Sequence, residues 1–282
     1  MHPAAPACCS PVRRALFPRM TAGPETVEAE SAVGDDASTK RAYVRRIFSE
    51  IAPRYDLLNH VLSLNIDRAW RTKAIAALEW ERSPRGLYLD LCSGTLDIAV
   101  KLAGAKEFRG QVIASDFAVP MLQIAQRKVG RLPVVSIAAD VLSLPVQGDH
   151  VDGAIVGFGA RNLADLDAGL REVFRVLRPG GRFVILEFAT PQNPIVRRAY
   201  HAYFHHVLPR IGRLVSGHRT AYEYLPRSVA KFPSQQELAS CLTRAGFVNV
   251  HWRSLTFGIA AIHVADKPLA PRSPLLAPRS PA

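Results

Sequence analysis

Short apolar runs alternate with amphipathic ones from Leu87 to Phe188, and this alternation restricts the fold more than any other feature of the chain. Apolar runs at Leu87–Cys92, Gln111–Ser115, Val134–Ala138, Val151–Val156 and Arg182–Phe188 read as strands. Between them, Asp97–Leu102 and Pro120–Val129 read as helices. Leu166, Leu170, Val173, Phe174 and Leu177 mark the stripe of a longer helix, stopped by Pro179-Gly180-Gly181. Strands that alternate with helices lie side by side in a mainly parallel sheet, with both faces covered. Two more strands are expected at Phe247–Trp252 and Ile259–Ala265, which makes seven. Ser234 and Glu237 have the spacing of a capping box ahead of a helix carrying Leu238, Leu242 and Ala245. Before the alternation, Val44, Ile47, Phe48 and Ile51 predict an N-terminal helix, and a second is expected over Asp67–Leu78.

The flanks have a different character. Residues 1–38 lack apolar periodicity and read as a disordered leader, with Met20 an alternative start. The Pro/Arg/Ser-rich stretch 268–282 reads as a loose tail. Residues 39–267 are left for one α/β domain.

In a parallel sheet, ligands bind beyond the carboxyl ends of the strands. There the first strand runs into Asp90-Leu91-Cys92-Ser93-Gly94-Thr95-Leu96-Asp97, a tight turn into a helix. This is neither the GxGxxG pattern nor a P-loop, since no Gly-Lys-Ser/Thr follows. Alone it is compatible with an ordinary strand–helix turn. The next two strands, however, each close on a carboxylate, Asp116 and Asp140. One at the second strand end can accept from both ribose hydroxyls. One at the third can accept from an adenine amine. A nucleoside site without a phosphate cradle points to S-adenosylmethionine, whose cationic centres suit nearby carboxylates.

At this point the residues carry a closer likeness. Residues 44–267 resemble the menaquinone/ubiquinone C-methyltransferase family. The likeness runs through Val44-Arg-Arg-Ile-Phe48 with Ala52-Pro-Arg-Tyr55-Asp56-Leu-Leu-Asn59, then Leu89–Asp97, then Gly157-Phe158-Gly159-Ala160-Arg161-Asn162-Leu163. It continues through Arg178-Pro-Gly-Gly-Arg182 to Leu186-Glu187-Phe188, and ends in Tyr222-Glu-Tyr224-Leu225, Ser228-Val229 and Phe232-Pro233. The Arg-Pro-Gly-Gly piece is common to many methyltransferases. The Phe-Gly-x-Arg-Asn and Tyr-x-Tyr-Leu pieces are specific.

The resemblance implies a class I, Rossmann-like methyltransferase fold with N-terminal helices, S-adenosylmethionine as cofactor and no metal. It implies cofactor contacts at Gly94, Thr95, Asp97, Asp116, Asp140, Val141 and Gly157. The implied reaction is C-methylation of a reduced polyprenyl quinone, demethylmenaquinol, or of a ubiquinone-pathway benzoquinol. Arg161 and Asn162 are the catalytic candidates. Arginine stays protonated, so Arg161 suits a phenolate partner better than a base. Tyr55, Asn59, Tyr203 and Tyr222 are expected to line the substrate, and His201, His205 and His206 to lie over it. Two positions depart from the family pattern. Gly157 replaces a usual serine. Leu96 replaces the second glycine of Gly-Thr-Gly-Asp, where a side chain resists positive φ and is expected in the cofactor's path. A degenerate, non-catalytic scaffold is the alternative that Leu96 raises.

Charge and composition bound the partners. Lys and Arg number 36 against 24 acids, a net charge of +12. From Pro191 to Phe232 there are seven basic residues and one acid, Glu223. Apolar residues interleaved with arginine over 194–216 suit a helix lying on an anionic membrane face, or a homodimer surface. The chain lacks the aromatic–basic motifs of nucleic-acid binders. Its four cysteines have no metal-type spacing and fit a reducing compartment. A cytoplasmic protein, peripheral to the inner face of the membrane, is expected.

Overall fold

The computed structural model describes residues 37–55, 63, 65–203 and 219–270. Of the expected leader 1–38, residues 1–36 lie outside them while Ala37 and Ser38 open the first helix; the tail beyond 270, Asn59, His205 and His206 also lie outside. The elements, in chain order, are α1 (Ala37–Ile51), α2 (Ile66–Ala77), β1 (Leu87–Leu91), α3 (Asp97–Ala103), β2 (Gln111–Asp116), α4 (Val119–Val129), β3 (Val134–Ala138), β4 (Val151–Gly157), α5 (Leu166–Val176), β5 (Leu177–Phe188), α6 (Pro194–Ala202), α7 (Arg219–Lys231), α8 (Gln235–Arg244), β6 (Val248–Leu255) and β7 (Ala260–Asp266).

The seven strands form one sheet in the order β3-β2-β1-β4-β5-β7-β6. Strands β1 to β5 are parallel to one another, and β7 runs antiparallel to both β5 and β6. The order reverses between β1 and β4, so a crevice opens at their carboxyl ends.

Side-chain alternation along the strands builds the two layers. Tyr88, Val112, Ala114, Ile155, Val184 and Leu186 face one apolar cluster, which takes Trp70 and Ala74 from α2 and Ile98 and Leu102 from α3. Leu89, Leu91, Ala154, Val156, Phe183 and Ile185 face the other, which takes Leu170 and Val173 from α5 and Leu238 and Leu242 from α8. Burying a large apolar side chain fully is worth roughly 1.5–3 kcal/mol, and each face buries many.

The N-terminal helix is longer than its apolar stripe announced. Val44 and Ile47 are buried against Tyr224 of α7. The capping box at Ser234 and Glu237 is present, with both reciprocal bonds made. One boundary is corrected. The fifth strand starts at Leu177, not Arg182. Val151 pairs with Leu177 and Gly153 with Arg182, so Arg178-Pro-Gly-Gly bulges out of a continuing strand rather than ending a helix ahead of it. Gly180 sits at φ 80°, which the bulge needs and a residue with Cβ resists.

Asp90 is the one carboxylate on the covered face of the central strand. It is 1% exposed, and its Oδ2 accepts from the Ala99 N–H in the first turn of α3 at 2.9 Å. Burial is the larger effect and pushes its pKa up to about 7. The folded state therefore binds more protons than the unfolded one between about pH 4 and pH 7. Asp90 contributes stability below that window and loses it as pH rises through it. Urea denaturation from pH 4.5 to 7.5 checks this. The wild type is expected to lose stability relative to Asp90→Asn as pH rises, by at most about 1.4 kcal/mol per pH unit. A difference that does not change with pH contradicts it.

Candidate active site

A narrow cavity lies beyond the carboxyl ends of β1 to β4. Cys92 lines it after β1, Asp116 and Phe117 at the end of β2, and Ala139, Asp140 and Val141 after β3. Asn162, Leu163 and Ala164 close it from the segment after β4, and Arg41 reaches it from α1. Four of the expected site residues therefore share one space: Asp116, Asp140, Val141 and Asn162.

The turn after β1 has an unusual backbone. Cys92, Gly94 and Leu96 all have positive φ, at 49°, 52° and 66°. The turn is held from outside itself. Asp116 Oδ2 accepts from the Gly94 N–H at 2.8 Å, and Oδ1 accepts from the Ala118 N–H at 2.8 Å. Burial raises the Asp116 pKa, and these main-chain donors oppose the rise. A carboxylate has about four acceptor positions, so the two bonds leave capacity toward the cavity. Asp140 is similarly part-used: Oδ1 accepts from the Leu142 N–H at 2.9 Å, and Oδ2 pairs with Arg41.

Leu96 is where the expectation divides. Its backbone is left-handed, as the turn requires. Its side chain is not in the cavity: it is fully buried in the apolar cluster with Ile98, Ala99 and Leu102. Leucine in this conformation costs roughly 1–2 kcal/mol, and its burial offsets that cost. At Gly157 an added Cβ would lie 2.5 Å from Ile98 Cδ1, so the isoleucine fills the space that a serine side chain would enter.

The other expected residues among those described, Arg161 included, do not line this cavity. Thr95 is buried. Asp97 accepts from Lys128 Nζ at 2.7 Å and lies 4.0 Å from Arg71. Tyr55 is half-buried, edge-on to Phe48, with its Cε1 3.6 Å from where a Cβ on Gly94 would lie. Its ring thus covers the turn. Tyr203 is half-buried just beyond α6. Tyr222 is in α7 and His201 in α6, but their side chains, like Asn59, lie outside the described residues.

Arg161 has a partner the sequence did not announce. Its Nη1 donates to Glu187 Oε1 at 2.6 Å, and its main-chain N–H donates to Oε2 at 3.2 Å. Both side chains are nearly fully buried. Burial alone would lower the arginine's pKa, but the Glu187 carboxylate holds it above its ordinary value. Arg161 Nε is buried without a partner among the described residues. The guanidinium lies 5.4 Å from the Phe188 ring centroid. Beside it, Asn162 Oδ1 accepts from the Tyr224 hydroxyl at 3.0 Å. Burial pushes the Tyr224 pKa up to about 12, so it stays a neutral donor.

Glu187 could have been found from the sequence, since it too is an acid near a strand's carboxyl end. Arg41 could not: it pairs with a residue 99 positions away. Among the described residues, no three His, Cys, Asp or Glu side chains stand together as metal ligands.

Comparison with known proteins agrees with this fold. Residues 36–267 match the model of the ubiE/COQ5 methyltransferase family. A demethylmenaquinone methyltransferase of Deinococcus radiodurans is 46% identical over 246 residues, covering 86% of this chain and 99% of that protein. A ubiquinone/menaquinone biosynthesis C-methyltransferase UbiE of Geobacter sulfurreducens is 41% identical, covering 80% and 89%. Among solved structures, a SAM-dependent methyltransferase of Thermotoga maritima aligns with a TM-score of 0.55 at 17% identity, covering 79% of this chain and 99% of that one. At that identity the match speaks for the fold alone.

Replacing Leu96 by glycine separates its two effects. The variant loses a buried leucine and gains a relaxed turn, for an expected net loss of about 1–3 kcal/mol in urea denaturation. Affinity for S-adenosylmethionine, measured by calorimetry, is expected to stay within about twofold. Tighter binding would put the leucine back in the cofactor's path.

Proposed function

The chain belongs to the ubiE/COQ5 methyltransferase family, and from that premise we propose that it transfers a methyl group from S-adenosylmethionine to a ring carbon of a reduced polyprenyl quinone precursor, demethylmenaquinol. The observation that carries this reading is one cavity shared by Asp116, Asp140 and Asn162, with Arg161 next in the chain.

The residues fit the cofactor. Asp116 retains acceptor capacity for ribose hydroxyls after its two main-chain bonds. Asp140, between Ala139 and Val141, offers an acceptor beside apolar walls that suit a purine. The turn Cys92–Asp97 carries no basic residue, so it suits a phosphate-free nucleoside with a cationic sulfur. When bound, S-adenosylmethionine supplies an electrophilic methyl group.

The protein's own task is to hold the acceptor ring in line and to make its carbon nucleophilic. A ring hydroxyl that loses its proton enriches the carbon ortho to it. Arg161 is suited to hold the resulting oxyanion, because its charge is permanent and its Nε donor is unspent. Asn162 can donate from its amide, since its carbonyl oxygen is committed to Tyr224. With Leu96 packed in the core, nothing at the turn favours a non-catalytic scaffold.

A benzoquinol of the ubiquinone pathway is the second reading, supported by the relatives named ubiquinone/menaquinone C-methyltransferase. Among the described residues no helix is long and apolar enough to cross a membrane. We place the enzyme's work at an anionic membrane face, where a polyprenyl substrate partitions.

Methyl transfer to reduced naphthoquinol and benzoquinol acceptors decides the ring class. Faster turnover of the naphthoquinol is expected, and transfer to neither overturns the reading. Arg161→Ala is expected to lower kcat by about 10²–10³-fold, as loss of an oxyanion donor does, with a smaller change in KM. Arg161→Lys keeps a charge beside Glu187 and so guards against unfolding. Unaltered kcat in both variants removes Arg161 from the chemistry.

A further inference from the structure

The most exposed large apolar side chains among the described residues are Phe257 and Ile195, at 82% and 79%. Phe257 sits in the connector between β6 and β7, where Thr256, Phe257 and Gly258 all have positive φ, at 44°, 57° and 90°. Two residues with side chains thus hold a left-handed backbone that disfavours them, and one of them presents an aromatic ring to water. Neither feature helps the fold.

The connector is fixed to the site. Trp70 Nε1 donates to Thr256 Oγ1 at 2.9 Å. The Trp70 ring packs against Phe158 and Phe188, at centroid distances of 6.0 and 6.2 Å, and Arg161 lies over Phe188. An aromatic row therefore leads from the proposed oxyanion partner to the exposed tip. The connector also meets the segment that opens α6. The Ala189 N–H donates to the Ile259 carbonyl at 2.8 Å, and a Cβ on Gly258 would lie 3.4 Å from Pro191 Cα. Four residues beyond Pro191 comes Ile195, followed by exposed Arg197 and Arg198, while Tyr200 faces inward. The chain carries no Asp or Glu between Glu187 and Glu223.

We propose that Phe257 and Ile195, flanked by Arg197 and Arg198, dock this edge of the molecule onto an anionic lipid bilayer. The aromatic and the isoleucine enter the interfacial layer while the guanidinium groups meet lipid phosphates. Two projecting side chains offer far less apolar area than the roughly 800 Å² per partner of a stable dimer, and the arginines would repel their copies. The docking rests on the quinol reading only for its purpose, which is to receive a polyprenyl substrate from the membrane.

Co-sedimentation of the full chain with vesicles tests it. Binding is expected to vesicles of phosphatidylglycerol and phosphatidylethanolamine, and much less to phosphatidylcholine alone. Phe257→Asp and Ile195→Glu are each expected to weaken binding about tenfold, and Arg197→Ala with Arg198→Ala to weaken it and flatten its salt dependence. Phe257→Gly should bind less yet unfold at a higher temperature, since the strain is relieved. Turnover of a short-tailed, water-soluble quinol should be unchanged in all of them, and turnover of a long-tailed quinol in vesicles should fall. A wild type that ignores anionic vesicles, or a Phe257→Asp protein that binds them as well as wild type, overturns the proposal. So does a Phe257→Asp variant whose effect in sedimentation is to dissolve a dimer. If vesicle binding behaves as stated but no quinol is methylated, the reaction assignment fails and the docking surface stands.

Discussion

A single carboxylate organises the ligand end of this sheet. Asp116 closes β2 and accepts from the main-chain N–H of Gly94, 22 residues earlier, so the end of one strand holds the turn that follows its neighbour. That turn cannot hold itself. Three of its residues have positive φ and two of them bear side chains. The cost of such a backbone must be met by contacts outside it. Three are visible: the Ser115 carbonyl of β2 accepts from the Ser93 N–H at 3.0 Å, Asp116 fixes the middle of the turn, and Asp90 satisfies an otherwise orphaned N–H in the first turn of α3. Asp116 also lines the cavity, so the residue that shapes the turn is one that can bind there.

The opposite wall relies on a second buried charge arrangement. Glu187 and Arg161 sit near the ends of adjacent parallel strands and neutralise each other away from water. Removing one partner of such a pair is far more costly than the pair is favourable. Its value is therefore geometric: it holds a guanidinium with one donor unspent next to Asn162, which Tyr224 orients from α7. The N-terminal helix joins both walls. Arg41 pairs with Asp140, while Tyr43 and Val44 pack with Tyr224. Elements distant in sequence thus converge on one space.

Legibility in the sequence followed the range of the interactions. Period-2 runs and helical stripes are local, and they located the strands and most helices within a few residues. The capping box at Ser234 is local and was readable. Asp116 and Asp140 were readable because topology forces successive strand ends together. Three features were not. The start of β5 was hidden because Pro-Gly-Gly ordinarily ends an element, whereas here the strand bulges around it. The direction of the Leu96 side chain was hidden because a left-handed residue can turn its Cβ toward core or cleft, and only the packing of α3 decides. The Arg41–Asp140 pair depends on where a separate helix docks, which no local pattern records.

The account stands on Asp116 as both anchor and ligand, and calorimetric titration with S-adenosylmethionine tests that most directly when wild type is compared with Asp116→Asn. The amide keeps an acceptor for one main-chain N–H, so the fold should survive, and near-wild-type thermal unfolding would verify it. Saturable binding by the wild type and a loss of tenfold or more in the variant are predicted. A folded variant that binds as tightly as the wild type, or a wild type that does not bind, would contradict the account.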